Sequence, residues 1–107
     1  MNLDALFETH GEVDELEFGI EFHDHMAERA TYDKHIVSVS EILEVHSGTP
    51  RYFENTVEDG APVIMVGATK AARWLCIPID PTSVTGVWSP RTAFQANAHH
   101  RKRYAEG

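Results

Sequence analysis

The chain of 107 residues holds a single cysteine, Cys76. No internal disulfide can form, which suits a reducing compartment, and a cytoplasmic location is expected. Cys76 lies in the apolar stretch Trp74-Leu75-Cys76-Ile77 and reads as an inert core thiol, not as a nucleophile. No apolar run approaches the ~18 residues of a membrane span. Met1 is followed by Asn2, Leu3 and Asp4 and not by a basic segment, so no secretory leader and no membrane partner are expected. Also missing are a Walker loop, a nucleotide-binding glycine motif, HExxH, CxxC and a serine nucleophile elbow. Phosphate-loop, zinc-protease, dithiol and serine-hydrolase chemistries therefore have no foothold. The chain has no internal repeat and no low-complexity tract.

What is present fits one soluble domain: 42% apolar and 24% charged residues, on a length that holds one core. Net charge is −8, unevenly spread. Residues 1–28 carry nine acids and no Lys or Arg, whereas the rest carries eight acids and nine bases. Residues 91–107 hold Arg91, Arg101, Lys102 and Arg103 against Glu106 alone. Residues 1–15 read as an acidic N-terminal appendage and 16–107 as the domain. The charge pattern is either a solvated surface or a basic anion site that the acidic head tunes or docks on.

Strict alternation of Leu16, Phe18, Ile20 and Phe22 with Glu17, Gly19 and Glu21 predicts a strand over 16–22. Residues 24–35 predict a helix, capped by Asp24. Ser38-Val39-Ser40-Glu41 has the form of a capping box, and Gly48 and Pro50 end the helix it starts, over 38–47. Strands follow at 51–56, 61–69, 73–80 and 84–93, the middle two forming a hairpin across Thr69–Ala72. Pro78 lacks a ladder donor and demands an edge or a bulge. A last helix is expected over 94–104. The order β-α-α-β-β-β-β-α implies an α+β fold, a small antiparallel sheet with helices on one face.

Histidine is the unusual residue, with seven in the chain. His23 and His25, at alternate positions of the expected strand, share a face and raise the reading of a metal site, against that of surface histidines. No third ligand stands at diagnostic spacing, and no metal or cofactor is expected. His99-His100-Arg101-Lys102-Arg103-Tyr104 is the densest polar cluster. On a helix His100, Arg101 and Tyr104 share a face and offer a proton-transfer group, a fixed cation and a phenol. Those are the parts that cleave an RNA phosphodiester through its own 2′-hydroxyl. The plainer reading is a basic helix end complementing its macrodipole, and Lys34-His35 invites the same reading. Trp74 and Trp88 read as core residues.

The stretch from about Phe18 to Tyr104 resembles the BrnT-type toxins of bacterial toxin–antitoxin pairs, which have a RelE/ParE-like ribonuclease fold. Three anchors carry the resemblance: Lys34-His35-Ile36-Val37-Ser38; Gly67-Ala68-Thr69 before Arg73-Trp74-Leu75; and Thr92-Ala93 followed, eleven residues on, by the Tyr104 of His100-Arg101-Lys102-Arg103-Tyr104. The resemblance implies a toxin that cleaves mRNA without a metal and inhibits translation. Its catalytic residues would be His100, Arg101, Tyr104 and His99, and its RNA-binding residues Lys34, His35, Arg91, Lys102 and Arg103. It also implies a cognate antitoxin, often of ribbon-helix-helix type, with DNA bound only through the complex. The chain departs from the pattern at Ser89 and Phe94, where Arg is usual, and at His100, where an acid is common. These departures favour a second reading, a non-catalytic interaction module of the same fold; the cluster at 99–104 favours the enzyme.

Overall fold

A computed structural model of the chain describes residues 2–32, 36–56 and 60–106. In chain order the elements are α1 (Leu3–His10), β1 (Glu15–Leu16), α2 (Ile20–Arg29), α3 (Val39–Ser47), β2 (Arg51–Glu54), β3 (Val63–Ala68), β4 (Trp74–Pro81), β5 (Val87–Pro90), β6 (Phe94–Gln95) and α4 (Ala98–Glu106). The fold is α+β, as expected. Its six-stranded sheet runs β1-β5-β4-β3-β2, with β6 also on β4. The sheet is mixed and not antiparallel throughout, because β1 pairs with β5 in parallel. Among the described residues no helix is long and apolar enough to cross a membrane.

The β3–β4 hairpin forms the centre of the sheet, with Val63 opposite Ile79 and Ala68 opposite Trp74. Its residues alternate between two cores, as a pleated ladder requires. Val63, Met65, Leu75, Ile77 and Ile79 join Trp88 and residues of α1, α2 and α3 on the first face. Ile64, Val66 and Cys76 meet Phe53, Trp74, Phe94 and Tyr104 on the second. The expectation of helices on one face alone is thus corrected: α4 covers the opposite face. Hydrophobic runs on both β3 and β4 are the cause, since a strand buried on both sides needs a layer over each.

The capping box at Ser38 is complete. The Ser38 side chain accepts from the Glu41 amide, and the Glu41 carboxylate accepts from the Ser38 amide at 3.1 Å. Burial pushes the Glu41 carboxyl up, but the Ser38 amide and Arg73 outweigh it and hold the group below its usual range.

The expected strand at 16–22 is corrected. Pairing covers Glu15–Leu16, and Ile20 already belongs to α2, whose N-cap is Gly19 and not Asp24. Phe22 and Met26 are its buried residues, four positions apart on one helical face, with Phe18 packed edge-on against Phe22. Ile20 stands 79% exposed, which a strand facing the core would not allow. The alternation of Phe18, Ile20 and Phe22 therefore hid a helical spacing. The helix expected at 24–35 starts earlier and ends at Arg29; residues 33–35 lie outside the described residues.

Of the strand expected over 84–93 only Val87–Pro90 forms, and a further short strand, Phe94–Gln95, lies where helix was expected. Val87–Pro90 pairs with Ile79–Pro81 of β4, and Phe94–Gln95 pairs with Leu75 and Cys76 of the same strand. Pro78 sits between the two ladders, where its missing N–H costs nothing, and its carbonyl accepts from the Arg91 amide at 2.9 Å. The last helix begins at Ala98, not at Phe94. Asn97 starts it, its side chain accepting from the His100 amide at 2.9 Å.

Of residues 1–15, read as an appendage, α1 is packed into the domain. Leu6 of α1 is buried in the first core, and Phe7 lies edge-on to both Tyr52 and Trp88. The Trp88 indole donates to the Gly11 carbonyl at 3.1 Å. Gly11 and Gly86 both have positive φ, and a Cβ on Gly11 would come within 2.7 Å of the Gly86 nitrogen. Only glycine allows the end of α1 to close on the turn before β5 at this distance.

Candidate functional site

The second sheet face carries most of the candidate residues. α4 lies across it with His100 over Cys76, Tyr104 on Trp74 and Arg103 on Phe53. His100 lines a cavity of about 280 Å3 whose other walls include Cys76, Arg91, Thr92 and Phe94. The expected face of 100, 101 and 104 is thus split. Arg101 and Tyr104 meet at Trp74, while His100 sits further along β4.

His100 is half-buried and held at both ring nitrogens. The Asn97 amide lies 3.4 Å from Nδ1, and Nε2 lies 3.9 Å from the Cys76 sulfur. An amide can only donate, so Nδ1 accepts and the neutral ring carries its hydrogen on Nε2. Burial, with the nearby His99 and Arg103, holds the His100 imidazole below its usual range and keeps it neutral at neutral pH. Burial pushes the Cys76 thiol up to about 12, so the sulfur is an apolar wall and no nucleophile.

The Tyr104 hydroxyl donates to the Thr49 carbonyl at 2.6 Å, and the Thr49 hydroxyl lies 3.2 Å away. Its ring is edge-on to Trp74 at 4.8 Å. The phenol therefore anchors α4 to the loop before β2. Arg91 holds Asp80 bidentately, at 2.9 and 2.7 Å. Its charge is half of an ion pair at the cavity wall. His99 is exposed beside His100, and Lys102 turns outward, 4.0 Å from Glu106. Lys34 and His35 lie outside the described residues.

Three arginines rest on three aromatic rings of this face. Arg51 stands over Tyr104 at 5.2 Å, Arg101 over Trp74 at 5.8 Å and Arg103 over Phe53 at 4.5 Å. Each ring holds its guanidinium in place while leaving it charged. Arg51, Phe53 and the exposed side of Trp74 are the members sequence reasoning missed. The missed signal was the second phase of alternation in each strand: 51 and 53 in β2, 74, 76 and 78 in β4.

Most acids of the N-terminal segment lie elsewhere. Eight of the nine in residues 1–28 follow Asp4 along α1, β1 and α2, on the side of the first core. Asp4 reaches a groove of about 340 Å3 that Arg103 also lines, across the β2 edge. A larger cleft, about 750 Å3, opens between the start of α2 and the end of β5, with His25, Asp80, Ser89, Arg91 and Thr92 in its walls. His25 and Arg29 both reach the Thr92 hydroxyl, at 3.0 and 3.2 Å, and Arg29 also donates to the Ala93 carbonyl at 2.6 Å. These bonds tie α2 to the β5–β6 corner.

The metal reading of His23 and His25 loses its premise. Two residues apart on a helix point to different sides. His23 packs against Phe18 and Phe22, and His25 turns to Thr92. Among the described residues no three His, Cys, Asp or Glu side chains are grouped to hold a metal ion. The second face can therefore bind an extended anion along its arginines and accept a proton at a neutral imidazole. Comparison of the chain with protein-family models, with curated proteins and with solved structures finds no match.

Proposed function

We propose that this chain is a cytoplasmic toxin of BrnT type that binds RNA on its second sheet face, cleaves it there and so inhibits translation. The observation that carries the reading is the conjunction on one face of three ring-seated arginines with a neutral, half-buried His100 in a cavity wall. Arg51, Arg101 and Arg103 attract the phosphates, and the acids of α1 and α2 repel RNA from the other side. Cleavage needs no covalent enzyme group. The 2′-hydroxyl displaces the long Asn97 contact and gives its proton to His100 Nδ1. Its oxygen attacks the adjacent phosphorus, and the bond to the 5′-oxygen breaks. That oxygen leaves with a proton from water, giving a cyclic 2′,3′-phosphate and a 5′-hydroxyl end. Arg101 offsets the charge that builds on the phosphoryl oxygens. Tyr104 positions α4 and takes no proton. A cognate antitoxin with an acidic segment would silence the protein by covering the arginines.

His100→Ala is expected to lower cleavage of a short RNA ~10²–10⁴-fold and to spare its binding. Undiminished cleavage in both His100→Ala and Arg101→Ala would remove the catalytic assignment. A second reading, a non-catalytic interaction module of the same fold that binds a protein partner, is favoured by the engagement of Tyr104 with Thr49 and of Arg91 with Asp80. It predicts no cyclic phosphate product when RNA is incubated with the wild-type protein.

A further inference from the structure

The cavity under α4 has a chemistry that backbone binding does not explain. Its floor is apolar, built from Ile64, Cys76 and Pro78, and Phe94 forms a half-buried aromatic wall. The Phe94 ring stands 6.1 Å from the His100 ring, tilted by 51°. Its polar lining comes from Asn55, Thr92, His100 and Arg91, whose charge is held by Asp80. A phosphate would gain nothing from such a floor, because an anion over apolar surface loses its hydration without replacement. At about 280 Å3 the space lies just under the ~300 Å3 at which pockets for drug-sized ligands begin. It suits one flat ring system with a hydrogen-bonding edge.

We infer that this cavity receives a single unpaired nucleobase of the bound RNA, stacked on Phe94 with its polar edge toward His100 and Thr92. The inference rests on the reading of the second face as an RNA surface and adds how a nucleotide is held there. Arg103 on Phe53 seats the backbone on the same face. A base turned inward from that backbone leaves the stack of its neighbours, so single strands are bound and duplexes are not. The inserted base also fixes its ribose at the cavity mouth, which makes the sugar next to His100 the one whose 2′-hydroxyl reacts.

The test uses the full chain and a short 2′-O-methyl oligoadenylate, which has no 2′-hydroxyl to react, so binding is read apart from cleavage. A second oligomer carries one abasic position at its centre. The wild-type protein is expected to bind the abasic oligomer about tenfold more weakly, the loss of one stacked base. 2-Aminopurine at the same position should change its fluorescence on binding. Phe94→Leu keeps apolar volume at the wall but removes the ring, and Phe94→Ala removes both. Each should bring the affinity for the intact oligomer down to that for the abasic one, and circular dichroism checks that they fold. Equal wild-type affinity for the two oligomers overturns the base pocket. So does an equal loss for both oligomers in Phe94→Leu. Discrimination without cleavage of ordinary RNA would remove the catalytic assignment alone. Binding of neither oligomer would sink both the pocket and the RNA reading.

Discussion

The two faces of the sheet are built from the same strands and are covered to different degrees. The first is sealed. Met65, Leu75, Ile77, Ile79, Ile42 and Trp88 are all fully buried there, beneath three helices. The second is covered by one short helix that has no fully buried residue of its own, and its aromatics remain half-exposed under arginines. Alternate residues of β3 and β4 thus separate the sealed core from the face on which we propose that RNA binds. Substitutions on one face should be felt as stability and on the other as binding or rate.

The sharpest way to break this comparison is Trp88→Ala. It empties the largest buried side chain of the first core and removes the donor to Gly11. A loss of about 3–5 kcal/mol is expected, read as a shift of the urea midpoint. Leu6→Ala follows, at about 2–5 kcal/mol if α1 belongs to the core as its packing requires. A change within ~0.5 kcal/mol, ordinary for a surface site, would return residues 1–15 to the status of an appendage. Tyr104→Phe on the second face should cost only about 1 kcal/mol, by taking the donor from the Thr49 carbonyl. A loss as large as that of Trp88→Ala would show that the second face also carries the fold.

The smallest effect is a dependence on pH. The His100 pKa is lowered on folding, so the unfolded chain binds its proton more readily. That part of the stability is complete above the ordinary histidine range, about pH 6.5, and is lost as pH falls toward the lowered value. His100→Gln should flatten the urea midpoint against pH in that window. Any cleavage that needs the neutral ring should persist to lower pH than an ordinary histidine permits. An unchanged slope in His100→Gln would mean that the ring is as well solvated as in the unfolded chain.

Much of the architecture was legible in short-range signals. The capping box at Ser38 and the hairpin across Thr69–Ala72 stand where their residues place them. Both depend on a few neighbours in the chain, and such signals survive in any tertiary setting. Residues 16–22 misled because Phe18, Ile20 and Phe22 satisfy a strand period while Phe18, Phe22 and Met26 satisfy a helical one. Only burial separates the two. The candidate cluster at 99–104 was visible as a charged run, but its division was not. The roles of His100 at the cavity, Tyr104 on Thr49 and Lys102 toward Glu106 depend on where α4 crosses the sheet.

By itself the sequence determined an α+β fold, its central hairpin, the capped helix before it, and a segregation of acids and bases along the chain. The tertiary structure alone decided that α1 joins the core, that β1 pairs in parallel with β5, and that α4 takes the second face. It alone decided, too, that Arg51, Phe53 and Trp74 meet Tyr104, Arg103 and Arg101 of α4 and that Phe94 stands beside His100. The first group rests on interactions between residues a few positions apart, whose geometry the backbone sets locally. The second rests on pairings across tens of residues. There the choice is made by which apolar surface can be covered and which polar group can find a partner, and no local pattern carries that information.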